Sequence, residues 1–211
     1  QKKSSKHLTM KAFNRFDSQY KTVAEEYSDK SSDETLILVD EHDQEIGTAL
    51  KEDCHLGDGL LHRAFSVFIF NDKKEVLMQQ RSKEKMLWGR FWSNSCCSHP
   101  RLGESIGNAA HRRIKEELSL ETNLDFLYKF KYQEQFMNIG SEHELCHVFI
   151  GKCNQEPKVD SSEISDWKYL SIEELTRSIE ENPSEFTPWL KIEWSEIIGK
   201  YYDQLERIID A

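Results

Sequence analysis

RAFSVFIF, residues 63–70, is the stretch from which the fold can be read. Phe, Val and Ile dominate it, as they do in strands that pack against a core. A polar turn at 71–74 and a second run at 75–81 complete a hairpin. Upstream, 35–40 is a short β-rich run, 41–44 a turn, and 46–51 a partner strand. Downstream, Ile106, Ala109, Ala110, Ile114 and Leu118 keep a helical period, which predicts a helix over 105–120. Segments 126–136 and 144–152 read as two further strands, and 167–170 as a short one. Ser171 with Glu174 three residues later resembles a capping box. A long helix over 187–209 follows, with Pro188 suited to its first turn.

Residues 1–33 are polar and charged, with a weak helical period through Leu8, Phe13, Phe16, Tyr20 and Val23. They read as an N-terminal helical extension ending in a Ser/Asp-rich link at 31–33, and 34–211 as the main domain. The expectation is an α+β chain: a mixed β-sheet, a central helix, and helical extensions at both ends.

The composition narrows the function. Of 211 residues, 37% are hydrophobic, enough for a core. A formal net charge of −10 argues against a nucleic-acid binder, which needs a basic face, but not against a small anionic substrate. No apolar run approaches the ~20 residues needed to span a bilayer, and the first residues lack the apolar stretch of an export signal. The five cysteines, with Cys96 and Cys97 adjacent, then suit reduced thiols in a cytosol-like compartment. Cytoplasmic location is the expectation, with an organelle as the alternative, and a monomer is the default state.

Three separated segments hold metal-ligand residue types: His55 and His62, then Cys97-Ser98-His99-Pro100, then Glu142-His143-Glu144. In extended backbone Glu142 and Glu144 point to the same side. Carboxylates aimed at one place repel unless a cation or proton lies between them. Imidazoles with carboxylates suit a borderline divalent metal such as Zn, Mn or Fe. Glu116 and Glu117 on the predicted helix suit Mg²⁺, which favours oxygen ligands and substrate phosphates. Lys51, Arg81, Lys83, Lys85 and Arg113 are cations able to clamp a diphosphate. Residue by residue, a solvated charged face or an ordinary core histidine remains the alternative.

Together the motifs are more specific. Leu61-His62-Arg63-Ala64-Phe65-Ser66, Gln79-Gln80-Arg81-Ser82, Ser93 through Pro100 and Glu142-His143-Glu144 stand in the order and spacing of the type 1 isopentenyl-diphosphate delta-isomerase family, which the chain resembles from about residue 36 to 189. The resemblance implies a Nudix-like fold with a mixed sheet between helices. The Nudix hydrolase box is matched at Glu104, Arg112, Glu116 and Glu117. Ser98 replaces its first Gly, Arg113 the Glu after Arg, and Ser119 its last Gly. In the hydrolases that lost Glu helps bind Mg²⁺, so its absence favours isomerisation over hydrolysis.

The resemblance also implies roles. Cys97 corresponds to the catalytic thiol, Glu144 to the catalytic carboxylate, and Tyr132 to a tyrosine assisting it. His55, His62, His99, Glu142 and Glu144 correspond to ligands of one divalent metal (Zn²⁺, Mn²⁺ or Mg²⁺), and Glu117 to a ligand of a second ion, Mg²⁺, on the diphosphate. Lys51, Arg81, Lys85, Ser98, Arg113 and Trp189 correspond to substrate-binding residues. Cys96 reads as a bystander thiol. The implied reaction interconverts isopentenyl and dimethylallyl diphosphate through a tertiary carbocation. Glu144 would protonate and Cys97 would remove the C2 proton. A Nudix hydrolase and a non-catalytic prenyl-diphosphate-binding protein are the competing readings.

Overall fold

A computed structural model of the chain describes residues 34–210. The N-terminal helix expected in 1–33 lies outside the described residues. Strand β1 (Thr35–Val39) pairs antiparallel with β2 (Glu45–Leu50) around a tight turn. The second strand stops one residue short of expectation, because Lys51 opens a single-turn helix, α1 (Lys51–His55). Five residues are too few to leave a periodic signature, so α1 was not legible in the sequence.

The run 63–70 is the hub, as β3 (His62–Phe70). All nine of its residues pair in parallel with β8 (Gly140–Lys152), from His62↔Glu144 to Phe70↔Lys152. Its other edge is shared in turn by β1 (at His62), β6 (Cys96–Ser98, opposite Phe65–Val67) and β4 (Glu75–Arg81, at Phe70). Beyond these lie β5 (Trp92–Ser93) and β9 (Ile164–Ser171) on β4, and β7 (Leu124–Phe136) on β8. Parallel and antiparallel pairs together make the mixed sheet that was expected. A strand paired on both edges and covered on both faces has no polar side to alternate with, which explains the near-continuous apolar run.

The two faces of β3 separate by residue parity. Phe65, Val67 and Ile69 meet helix α2 (Ile106–Leu118) through Ala109, Ala110, Ile114 and Leu118. Phe68 and Phe70 meet the C-terminal helices through Leu190, Trp194, Ile197, Leu205 and Ile209. Ser105 caps α2, its side chain accepting from the Asn108 N–H at 3.2 Å. Helix α3 (Ile172–Glu181) opens with the expected Ser171/Glu174 capping box. Among the described residues no helix is long and apolar enough to cross a membrane.

The expected single helix over 187–209 is two: α4 (Pro188–Lys200) and α5 (Tyr202–Ile209). The break falls at Tyr201 (φ −116°, ψ 13°), whose ring stacks on Tyr128 at 4.5 Å. Gly199, a poor helix former, stands just before it. An unbroken helix of that length would run about 35 Å and leave the sheet. The bend instead lays Leu205 and Ile209 back on the core.

Gly140, the first residue of β8, lies where a Cβ would stand 2.1 Å from the His55 carbonyl oxygen. This close approach, with the Leu56↔Gly140 bridge, fixes the end of α1 against β8. Gly140→Ala should therefore destabilise the fold by about 2 kcal/mol or more and displace His55. A lowered Tm together with weakened divalent-cation binding is the expected result.

Candidate active site

The parallel register that builds the core also builds the site. His62 begins β3 and stands opposite Glu144 of β8. Alternation along β8 puts Glu142 on the same side as Glu144. The close approach at Gly140 brings His55, the last residue of α1, beside Glu142. His99 follows β6 and completes the group. All five side chains are buried, from 0% exposure at His62 to 8% at His99 and Glu144.

Their polar atoms converge. His62 Nε2 and His99 Nε2 are 3.2 Å apart, and Glu144 Oε1 is 3.1 Å from His99 Nε2 and 3.6 Å from His62 Nε2. His55 Nε2 is 3.0 Å from Glu142 Oε2. One ligand atom each from His55, His62, His99 and Glu144 fits within a 4.8 Å span. The His55 and His62 Nδ1 atoms lie 2.6 Å and 2.7 Å from the Lys51 and Leu60 carbonyl oxygens. A ring that donates from Nδ1 to a carbonyl presents the Nε2 lone pair to the cluster, as a metal-ligating imidazole does. The Glu142 Oε2 and His99 Nδ1 atoms are buried without an aligned hydrogen bond. Lone pairs packed this closely repel unless a cation lies among them. The nitrogen and carboxylate donors thus fit a divalent metal.

The charges agree with that reading. Burial works to raise the Glu144 carboxyl, but His62 and Tyr132 outweigh it and hold it below the ordinary value. Tyr132 on β7 donates its O–H to Glu144 Oε2 at 2.7 Å; burial and the Glu144 charge keep that phenol protonated. Burial, then the neighbouring His62 ring and the Lys51 ammonium, hold His99 well below the ordinary histidine value. Cys97 is the opposite case: burial pushes its thiol up to about 12, against the pull of Arg81. Glu144 therefore rests as carboxylate and Cys97 as thiol.

Cys97 packs against a buried group that includes Tyr132, Trp88 and Trp189. Trp189, in the first turn of α4, donates its indole N–H to Ser93 Oγ at 3.0 Å and meets Trp88 edge-on at 5.4 Å. Arg81 lies 5.0 Å over the Trp189 ring and 3.8 Å from Cys97 Sγ, while donating to the Leu87 and Trp88 carbonyls. Ser98 is half-buried on β6, opposite Phe65. Lys51 pairs with Glu34 at 2.8 Å. Lys85, Arg113 and Glu117 come together around Glu163: Arg113 donates to Glu117 at 2.5 Å and to Glu163 at 3.0 Å, and Lys85 pairs with Glu163. Cys96 points the other way and is wholly buried under α2.

Two residues passed over in the sequence belong to this region. Glu163 is one. Glu193 on α4 is the other, fully buried with Oε2 unpartnered and Oε1 3.6 Å from Cys146 Sγ. A charged residue within the apolar stripe Trp189, Leu190, Trp194, Ile197 was the available signal.

Comparison with known proteins agrees with the geometry. Residues 60–190 match the NUDIX domain. The chain is 45% identical over 174 residues to isopentenyl-diphosphate Delta-isomerase 1 of Photorhabdus laumondii, covering 82% of this chain and 99% of that one. It is 41% identical to isopentenyl-diphosphate Delta-isomerase of Pectobacterium atrosepticum, over 77% of this chain and 90% of that one. It is 35% identical to isopentenyl-diphosphate delta-isomerase of Gibberella zeae, over 84% and 79%. Among solved structures, a Deinococcus radiodurans protein superposes with a TM-score of 0.60 at 21% identity, over 83% of this chain and 99% of that one. The MutT protein of Methanosarcina mazei does so with 0.52 at 15%, over 70% and 94%. Both show the fold.

Burial pushes the Glu193 carboxyl up to about 8, with Ser66 opposing. Unfolded, it titrates near 4.5. Between these values the folded chain holds the extra proton, so this contribution is full below about 4.5 and is lost as pH rises through about 8. Its size is on the order of several kcal/mol. Glu193→Gln stays neutral throughout. Its Tm relative to wild type should climb between pH 5 and pH 8, and a constant difference would contradict a protonated Glu193.

Proposed function

Because this chain belongs to the isopentenyl-diphosphate Delta-isomerase family, among proteins with the NUDIX domain, it is an enzyme that interconverts isopentenyl and dimethylallyl diphosphate; we propose that Glu144 and Cys97 are the two groups that move the protons. One observation carries the assignment. Glu144 is held below its ordinary value while the half-buried Cys97 thiol is pushed up, and one apolar group that includes Tyr132, Trp88 and Trp189 packs against Cys97 and touches Glu144 through the Tyr132 hydroxyl.

Moving the double bond requires a proton gained at one carbon and lost at another. An alkene is a weak base, so the acid must be strong and fixed in place. Glu144, supplied through the Tyr132 hydroxyl, is assigned to protonation of the terminal carbon, and Cys97 to removal of the C2 proton. Each turnover in that sense ends with a carboxylate and a thiol, the state that the donors on Glu144 and the burial of Cys97 favour. The same state is loaded for the reverse reaction. The forward cycle begins with return of a proton to Glu144 and its loss from Cys97, which the Arg81 guanidinium 3.8 Å from the sulfur assists.

His55, His62, His99, Glu142 and Glu144 would hold a divalent metal (Zn²⁺, Mn²⁺ or Mg²⁺). When bound, such an ion draws charge from Glu144 and makes a proton on it more acidic. Glu117 would help hold a Mg²⁺ on the diphosphate, with Lys51, Arg81, Lys85, Ser98 and Arg113 around it. Trp189 offers a π face to the tertiary cation, worth ~2 kcal/mol or more without water, and it cannot attack as a nucleophile. Arg81 covers that ring, so a cation already rests on the face where the carbocation would be stabilised.

Cys97→Ala and Glu144→Gln should each lower kcat by roughly 10²–10⁴-fold with an unchanged circular dichroism spectrum. Cys96→Ala should have little effect. Substantial turnover by Cys97→Ala would remove the thiol from the mechanism. A dead Cys96 variant beside an active Cys97 variant would transfer the role to Cys96. In parallel, His99→Ala should abolish binding of one divalent ion per chain in equilibrium dialysis.

A further inference from the structure

Arg113 stands where the hydrolase box carries a carboxylate, and it lies on α2. Lys85 lies in the loop between β4 and β5. Nothing in the backbone requires these two elements to present cations to one point. Like charges brought together repel unless an opposite charge lies between them. Glu163, the residue before β9, supplies it. One carboxylate oxygen pairs with the Lys85 ammonium, and the other accepts from Arg113 Nη2 at 3.0 Å.

The carboxylate is braced as well as paired. The Glu163 N–H donates to the Asp160 carbonyl at 3.0 Å. Its own carbonyl accepts from the Ser82 N–H at 2.9 Å, and the Ser82 carbonyl accepts from the Lys85 N–H at 3.1 Å. Backbone hydrogen bonds therefore tie the anion to the loop that carries one of its cations. Burial works to raise this carboxyl, but Lys85 and Arg113 bring it down to about 2, so it is ionised at any working pH.

Donors remain after these contacts. Glu163 engages one of the three N–H groups of Lys85. Arg113 spends its terminal nitrogens on Glu116, Glu117 and Glu163, and its Nε–H is buried without a partner. A tetrahedral phosphate oxygen is the kind of acceptor that such a group of donors takes.

We propose that Glu163 is a diphosphate-positioning residue: it draws Lys85 and Arg113 from separate elements into one cradle and sets the affinity of the site for the diphosphate end of the substrate. The proposal rests on the reading that Lys85 and Arg113 bind that diphosphate. Glu163 acts through these cations and touches no reacting carbon, so its loss should appear in binding rather than in chemistry.

The test is Glu163→Gln in the full chain, with Mg²⁺ present. The Kd for inorganic pyrophosphate, by calorimetry, and the KM for isopentenyl diphosphate should each rise tenfold or more. The change in kcat should be far smaller. Glu163→Asp, too short to reach both cations, should weaken binding in the same direction by less, and it replaces the Gln variant if that variant does not fold. An unchanged or lowered pyrophosphate Kd in both variants would overturn the proposal, and so would a loss confined to kcat. Lys85→Ala and Arg113→Ala serve as controls. Wild-type pyrophosphate affinity in both would show that the underlying reading of the cations fails, whatever Glu163 does.

Discussion

The parallel pairing of β3 with β8 is the constraint on which the rest depends. It places His62 opposite Glu144 at one end and runs without interruption to Phe70 at the other. The apolar length of both strands supplies the core, while their first residues supply the cluster. A register slip of one residue would turn every side chain of one strand to the wrong face. It would turn His62 to the other face and put Leu61 or Arg63 opposite Glu144. The hydrophobic pattern that fixes the register for stability therefore fixes the geometry of the His/Glu cluster too. Imidazoles and carboxylates buried this deeply would be costly alone. Hydrogen bonds and mutual pairing offset that cost, and a divalent cation held there would offset more of it.

The same face of the sheet carries the apolar surroundings of Cys97 and Glu144. Ala64, Cys146, Tyr132, Leu87, Trp88 and Trp189 form a buried group that Cys97 packs against and that meets Glu144 through Tyr132. Exclusion of water strengthens each electrostatic contact and protects a carbocation from capture. It also sets resting states. Burial alone would raise both Cys97 and Glu144; only Glu144 has enough donors to reverse that. Two neighbouring groups with different partners are thus shifted in opposite directions.

The long elements were legible because their periodicity is strong. Segment 63–70, the α2 pattern and the Ser171 cap all appear as read, and the alternation of Glu142 and Glu144 put both on one side of β8. Short elements were not legible: α1, β5 and β6 contain too few residues for any period, and their geometry is imposed by neighbours. The same limit hid the reason His55 reaches the cluster, which is a backbone contact at Gly140. The break at Tyr201 went unread because the apolar pattern continues through it; Gly199 was the local hint. Glu163 and Glu193 were passed over for opposite reasons. Glu163 looks like any surface acid until β9 folds it against α2. Glu193 sits in an apolar stripe, and only its burial shows that it is not solvated. The family resemblance pointed to roles for residues such as Cys97 that spacing alone left open.

The most direct test follows the double bond itself. Purified protein, divalent metal and isopentenyl diphosphate are placed in D₂O and followed by NMR. Dimethylallyl diphosphate carrying solvent deuterium, with no phosphate release, is the predicted result. Phosphate release without the isomer would contradict the account, since the cluster around His62 and Glu144 would then serve hydrolysis rather than movement of a proton.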